Sequence, residues 1–526
     1  MQFVSDPPIS VKIRKMKQRV RWQEPLIVER GIDQTQMAFA EGWADSPEFS
    51  FLVMGDTGSG PHQGHNPQRQ VAEQMLEHGD GCRFVLHTGD VIYLVGSSEY
   101  YPDNFIKPYR DFLVGGEHPE RIAFNRMVFT LPFLPVPGNH DYYDLPLPYG
   151  LLAQTTLPLR RLLRFKSNLN VGWHGSGQGQ AYAEAFLDYL QAFNTKGGLA
   201  RHLDSHYTAQ SDMGRCLRYE PKRFTRLPNR YYSFRSGGID FFALDSNTFN
   251  APIPLPKTGE GEADRRRLES RRNDLEQERL RILETCTSLN AGLPDDAEKL
   301  DDLHAKLEQI TEMKLDIDKQ LAADETATTD HEQLDWLEHR LIESWNTSEV
   351  RGRVIYLHHP PYVTEATKWH QAQTLAIRYR LRQVLDKVAD AVGDQAKEKE
   401  QPLVDLILSG HAHCLEYIRT VDTGHADANL NWIVCGGSGY SLRRQRPEGP
   451  ELMETFRKAE GNSTHLVARS LLFTGRSGQG SKRRRPYSFL RIDVQDGRPL
   501  KLVVRPFIAE RYQQKWSHGH LEPFEV

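Results

Sequence analysis

The sequence predicts an α/β protein built from parallel strand–helix–strand units, and three observations carry that prediction. Short apolar runs at residues 51–54, 84–86, 131–134, 354–357 and 403–408 read as buried strands, and each ends in a turn bearing Asp, Asn or His. Segments with a helical apolar period lie among them, at Val71, Met75 and Leu76, at Leu334, Leu337 and Leu341, and across residues 374–392. Strands and helices alternating in this way fold as parallel crossover units. The third observation is a change of composition. Residues 263–323 are dense in charge, lack aromatic side chains and are broken only at Gly292-Leu293-Pro294, the pattern of an inserted helical hairpin.

Taken in order, residues 1–48 mix apolar and basic side chains (Val11, Ile13, Met16, Val20), hold no chemical motif and are expected to pack on the core. Residues 49–256 form the first part of the main domain. Within it, 142–230 read as an irregular insertion with one helix near 181–193, either a cover over the active site or a surface excursion. The sheet resumes at 231–234 and 239–245, a hairpin about Gly237-Gly238. Residues 257–330 are the helical insertion. In its second arm Leu300, Leu303, Leu307, Ile310, Ile317 and Leu321 step by three and four, with Lys314 interrupting, and in the first arm Leu268, Leu275, Ile282 and Leu289 repeat every seven. That is the seam of an antiparallel coiled coil. At 1.5 Å per residue the arm would extend about 40 Å from the body, burying its own seam or docking a protein partner or a second copy. Residues 331–526 complete the main domain, closing with a hairpin of 489–494 and 500–504 about Gly497; the basic run 482–485 reads as solvated, with an anionic partner as the other reading.

A net charge of −4 over 526 residues argues against broad attraction to nucleic acid or an anionic membrane. The first twenty residues hold no apolar core of a signal peptide, and no apolar run is long enough to span a bilayer. Five cysteines, odd in number and without a CxxC pair, read as free thiols in a reducing compartment, so a soluble cytoplasmic protein is expected.

The chemistry gathers at the strand ends. Asp after Gly is an ordinary turn residue and Tyr93 alone an ordinary core aromatic. In register, however, the ends supply Asp56, Asp90 with Tyr93, Asn139 with His140 and Asp141, His358, and His411 with His413. In open α/β sheets ligands bind outside the carboxyl ends of the strands. Oxygen and nitrogen donors without thiolate suit two adjacent first-row metal ions, with one carboxylate shared between them. The two imidazoles of Gly410-His411-Ala412-His413, on a sharp loop, can diverge to two metals.

The order GDxG, GDxxY, GNHD, a strand ending in His, and GHxH resembles the purple acid phosphatase-like branch of the calcineurin-like metallophosphoesterases. The wider superfamily usually begins with DxH, whereas this chain has Gly58 two residues after Asp56. The resemblance covers about 50–250 and 331–510 and leaves out the hairpin. It implies a four-layered α/β/β/α sandwich with the metals at the strand edges. It further implies Fe(III) held by Asp56, Asp90, Tyr93 and His413, with Asp90 bridging to Zn, Mn or Fe(II) held by Asn139, His358 and His411. His140, with Asp141 beside it, would contact the phosphate and protonate the leaving oxygen. The function implied is hydrolysis of phosphomonoesters by in-line attack of a metal-bound hydroxide, with phosphodiesters or cyclic nucleotides as the nearer alternative. A scaffold acting through the hairpin is the alternative of another class.

Overall fold

The computed structural model describes residues 4–40, 46–58, 65–145, 175–211, 214–290, 292–458, 461–479 and 482–526. Ser59 and Gly60 of the first glycine-rich turn, and 146–174 of the irregular insertion, lie outside them. Two sheets form the core. One runs in the order β17 (Lys515–His520), β16 (Lys501–Tyr512), β15 (Arg484–Gln495), β2 (Phe49–Met54), β3 (Cys82–His87), β4 (Phe133–Pro135), with β18 (Phe524–Glu525) beside β16. The other runs β13 (Glu451–Lys458), β14 (Gly461–Thr474), β11 (Leu415–Thr420), β12 (Asn431–Cys435), β10 (Leu406–Ser409), β9 (Gly352–Tyr356), β8 (Ile239–Ala243), β7 (Tyr232–Ser236), β1 (Ile32–Phe39), β6 (Gly214–Tyr219), β5 (Ala209–Ser211).

The sheets meet face to face through aromatic side chains. Phe51 and Phe84 of one lie against Phe241 of the other, with ring centroids 5.5 and 5.3 Å apart. Full burial of each ring is worth about 1.5–3 kcal/mol. Helices His331–Asn346 and Ala372–Glu398 bury Leu337, Leu341, Leu381 and Leu385 in a second core with Ile355 and Ile407 of the larger sheet. Helix Pro67–His78 covers the smaller sheet, His78 stacking on Phe507 at 4.0 Å. The layers are thus α/β/β/α. Parallel pairing of β2, β3 and β4, and of β8, β9, β10 and β12, brings their carboxyl ends to one region. There, motifs far apart in sequence meet.

The N-terminal segment does more than lie on the core: β1 is an internal strand of the larger sheet, parallel to both β6 and β7, and Met16 and Val20 are fully buried. Arg230 is also buried, held between Asp245 at 3.1 Å and Asp330, which caps helix His331–Asn346.

The helical insertion has arms Gly259–Thr287 and Pro294–Ala322. Leu275, Ile282, Ile310 and Ile317 fill their shared seam, and Lys314 reaches across it to Glu276. The hairpin does not stand 40 Å clear of the body. Its second arm lies along it: Asp316 accepts from the backbone N–H groups of Ala372 (2.8 Å) and Gln373 (3.0 Å), and Lys319 pairs with Asp6 at 2.6 Å. Two residues of the basic run at 482–485 are correspondingly not left to solvent, while Lys482 and Arg484 stay exposed. Arg483 and Arg485, with Arg476, converge on Asp302 of the arm, and Arg484 pairs with Glu510. The physical reason is that the seam uses only one face of the arm, and the charged opposite face finds complementary charges on the body.

Candidate metal centre

Each sequence-predicted donor sits at a carboxyl end. Asp56 follows β2, Asp90 and Tyr93 follow β3, Asn139 follows β4, His358 follows β9, and His411 and His413 follow β10. Asp56, Asp90 and His411 lie at φ 55°, 55° and 64°, left-handed conformations that cost a non-glycine residue about 1–3 kcal/mol. Cross-links between the turns hold them: Asp56 N–H donates to Gly89 O at 3.0 Å, His411 N–H to Asp56 Oδ2 at 2.9 Å, and His140 N–H to Asp90 Oδ1 at 2.8 Å. Glycine is required at 138, where a Cβ would stand 2.1 Å from Asp90 Oδ1.

The geometry converges closely. Tyr93 Oη lies 2.8 Å from Asp56 Oδ1, 2.7 Å from Asp90 Oδ2 and 3.1 Å from His413 Nε2. His358 Nε2 lies 2.9 Å from Asn139 Oδ1 and 3.2 Å from Asp90 Oδ2. Ligand atoms of Asp90, His358 and His411 lie within 4.8 Å of one another. All seven side chains are buried, none more than 3% exposed.

Whether these residues fit cations can be decided from their protons. His358 Nδ1 is 2.8 Å from Thr88 O, and His413 Nδ1 is 3.0 Å from Ser441 O. A carbonyl only accepts, so each Nδ1 carries a proton, and it is Nε2 that turns inward, with a lone pair to offer whenever it is unprotonated. At His358 that lone pair faces the oxygens of Asn139 and Asp90. At His413 it faces Tyr93 Oη, whose single proton cannot serve three acceptors at once. Electron pairs directed at one another in a dry interior are repulsive unless positive charge lies between them. Acidity tells the same story. Burial and the Asp90 carboxylate push Asp56 up to about 8, opposed by His358; against burial, Asp90 lifts His358 to about 9. Against burial, His358 and His140 hold Asp90 well below the usual carboxylate range, and burial holds His411 and His413 well below the usual imidazole range, so these three keep electron pairs free for a cation. The donor set fits.

His140 Nδ1 donates to Leu94 O at 2.5 Å, leaving Nε2 facing Glu312 Oε1 at 3.9 Å. Burial lowers its basicity, but Asp90 and Glu312 outweigh this and raise it. Asp141 does not orient that ring. Its carboxylate accepts from the backbone N–H groups of Gly138 (2.8 Å), Val91 (3.2 Å) and Ile92 (3.4 Å), tying the third motif's turn to the second's. Burial and the Asp90 charge push its carboxyl up to about 7 against those amides. His359 is buried against Ser246 Oγ at 2.8 Å.

Several residues at the site were not foreseen. Lys368 Nζ is 2.9 Å from His411 Nε2 and 2.9 Å from Glu312 Oε2 of the helical arm. Tyr440, after β12, stacks on Tyr93 at 3.8 Å, and Arg443 donates to Ala305 O at 2.8 Å. Lys368 lies in an irregular stretch that carries no period. The only signal for the arm was the four-residue step of Glu308, Glu312 and Asp316, on the face opposite its seam.

The sandwich brings this donor set together at the carboxyl ends of its strands. Residues 49–222, a third of the chain, match the family model of the calcineurin-like phosphoesterases. The match spans Asp56, Asp90, Tyr93 and Asn139; the three histidines beyond it are joined to them by the fold. No curated relative matches the chain in sequence. Among solved structures it is similar to the purple acid phosphatase PPD1 from yellow lupin (Lupinus luteus) seeds, at 13% identity and a TM-score of 0.40 over 91% of this chain and 54% of that one. It thus spans about half the length of the lupin chain. It is also similar to GAP50, the anchor in the inner membrane complex of Plasmodium (12%, TM-score 0.38, 91% and 88% covered), and to PhoD (11%, TM-score 0.37, 92% and 70% covered).

Proposed function

We propose that the protein hydrolyses phosphomonoesters at two metal ions. The supporting observation is the convergence of seven buried side chains whose oxygen and nitrogen atoms share too few protons among them. Tyr93, Asp56, Asp90 and His413 form a hard, anionic set suited to Fe(III). Asn139, His358 and His411 suit Zn, Mn or Fe(II), with Asp90 between the two sets. When bound, the metals would neutralise the phosphate and activate the attacking water.

The chain's own groups supply the remainder. His140, held by its Nδ1–H on Leu94 O, presents Nε2 as a proton donor to the leaving oxygen. Lys368 places an ammonium beside His411, where it can hold a phosphate oxygen. Asp141 is a positioning residue that fixes the turns carrying Asp90 and Asn139. Five unpaired cysteines support a reducing, cytoplasmic setting.

The test is protein reconstituted with iron plus zinc or manganese, assayed on p-nitrophenyl phosphate and bis(p-nitrophenyl) phosphate. Monoester turnover is expected to dominate, and Asp90→Asn to abolish it with loss of both metals. Diester turnover without monoester turnover would overturn the monoester assignment; no turnover with both metals bound would overturn the catalytic one.

A further inference from the structure

The metal-site donors are at most 3% exposed, so a phosphate ester cannot reach them in this conformation. The inner face of the hairpin's second arm lies across them. Glu312 enters deepest: Oε2 is 2.9 Å from Lys368 Nζ, and Oε1 is 3.9 Å from His140 Nε2. Lys368 touches His411, so one side chain separates Glu312 from the donor set. One turn earlier, Glu308 shares a hydrogen bond with Tyr440, the ring stacked on Tyr93. Lys368 and His140 are the cation and proton donor that a phosphate oxygen would need. A carboxylate of the same chain occupies both.

We propose that the insertion is a pseudosubstrate lid, in which Glu312 takes the place of a phosphate oxygen and the second arm must lift before substrate binds. This rests on the phosphoesterase reading above. The construction of the arm supports it. The apolar seam is satisfied by the first arm, so the hairpin can move as a unit without opening its own core. Most of what faces the body is polar: Asp302 on Arg476, Arg483 and Arg485, Glu312 on Lys368, Asp316 on two backbone amides, and Lys319 on Asp6. Among the described residues, Leu315 and Ala305 are the buried apolar side chains on that side. Charged groups regain their hydration when such an interface opens, which offsets much of the lost pairing, whereas an apolar interface of that length would expose its side chains to water on opening. Glu312 lies ten residues before Ala322, about 15 Å up the helix from its base. A modest rotation at the connection 323–330 therefore withdraws it.

Two variants of the full-length, metal-loaded protein test this: Glu312→Gln, which removes the mimic's charge, and Asp302→Lys, which sets a like charge against three arginines outside the metal site. Calorimetric titration with inorganic phosphate should show tenfold or greater tightening in both. Amide hydrogen exchange over 294–322 should speed up in Asp302→Lys and, in the wild type, on addition of phosphate. kcat/KM on p-nitrophenyl phosphate should rise about tenfold. Unchanged or weaker phosphate binding in both variants would overturn the lid, making the closed arm part of the working site. Tighter phosphate binding without hydrolysis in any form would instead overturn the catalytic reading and leave the lid standing.

Discussion

Gly138→Ala isolates the contact on which the centre is built. A Cβ at 138 would stand 2.1 Å from Asp90 Oδ1 and 2.2 Å from Asp90 N. Carbon and oxygen rarely approach closer than about 3.3 Å, so the turns carrying Asn139 and Asp90 must separate by about 1 Å. The obstacle includes backbone, which has no rotamer to escape into. Overpacking of this kind costs about 1–3 kcal/mol, which a domain of this size should survive. The functional cost is larger, since a 1 Å misplacement of reacting groups can lower a rate about 100-fold. The variant should melt a few degrees early, bind less than two equivalents of metal by mass spectrometry, and lose about two orders of magnitude in kcat. Gly393→Ala is the control: it sits in helix Ala372–Glu398 with no atom within 4 Å of the added Cβ, and should gain about 0.5–1 kcal/mol. Full metal content and wild-type turnover in Gly138→Ala would refute the placement of Asp90 between the two donor sets.

Tyr93→Phe keeps the ring's stack on Tyr440 but removes the oxygen shared by Asp56, Asp90 and His413; it should abolish the visible charge-transfer band expected of an iron-loaded tyrosinate, read by absorption alongside iron content. Asp330→Ala leaves the buried Arg230 guanidinium with one carboxylate and removes a helix cap, and should cost about 3–5 kcal/mol by urea denaturation. Burial pushes Asp405 up to about 6, only partly opposed by its hydrogen bond from Arg353 N–H. The folded state therefore holds this proton more tightly than the unfolded chain. Its contribution is fully present below about pH 4 and is lost as pH rises through 6, a swing on the order of 3 kcal/mol. Asp405→Asn should flatten that part of the stability profile, measured as the difference from wild type.

The convergence of the strand-end residues was legible because their signals are local. A continuous apolar run followed by Gly-Asp or Gly-Asn-His-Asp specifies a buried strand and its turn within ten residues, and parallel crossovers bring such ends together wherever the helices lie. The hairpin seam was legible for the same reason, its period lying within each arm. The charged face of the second arm was not, because a carboxylate at 312 looks solvated until Lys368 is brought against it by the fold. Asp302 with the arginines of the 476–485 stretch is the same case across more than 170 positions. The inner strand β1 was hidden by a short mixed pattern that resembles a surface segment, and the reach of Asp141 to backbone amides rather than to His140 depends on how two turns meet. Periodicity records which face of an element is apolar, because burial is repeated along it. Pairing between single charges on distant elements leaves no period, so only the tertiary structure decides which charges meet and that one of them stands in the mouth of the metal site.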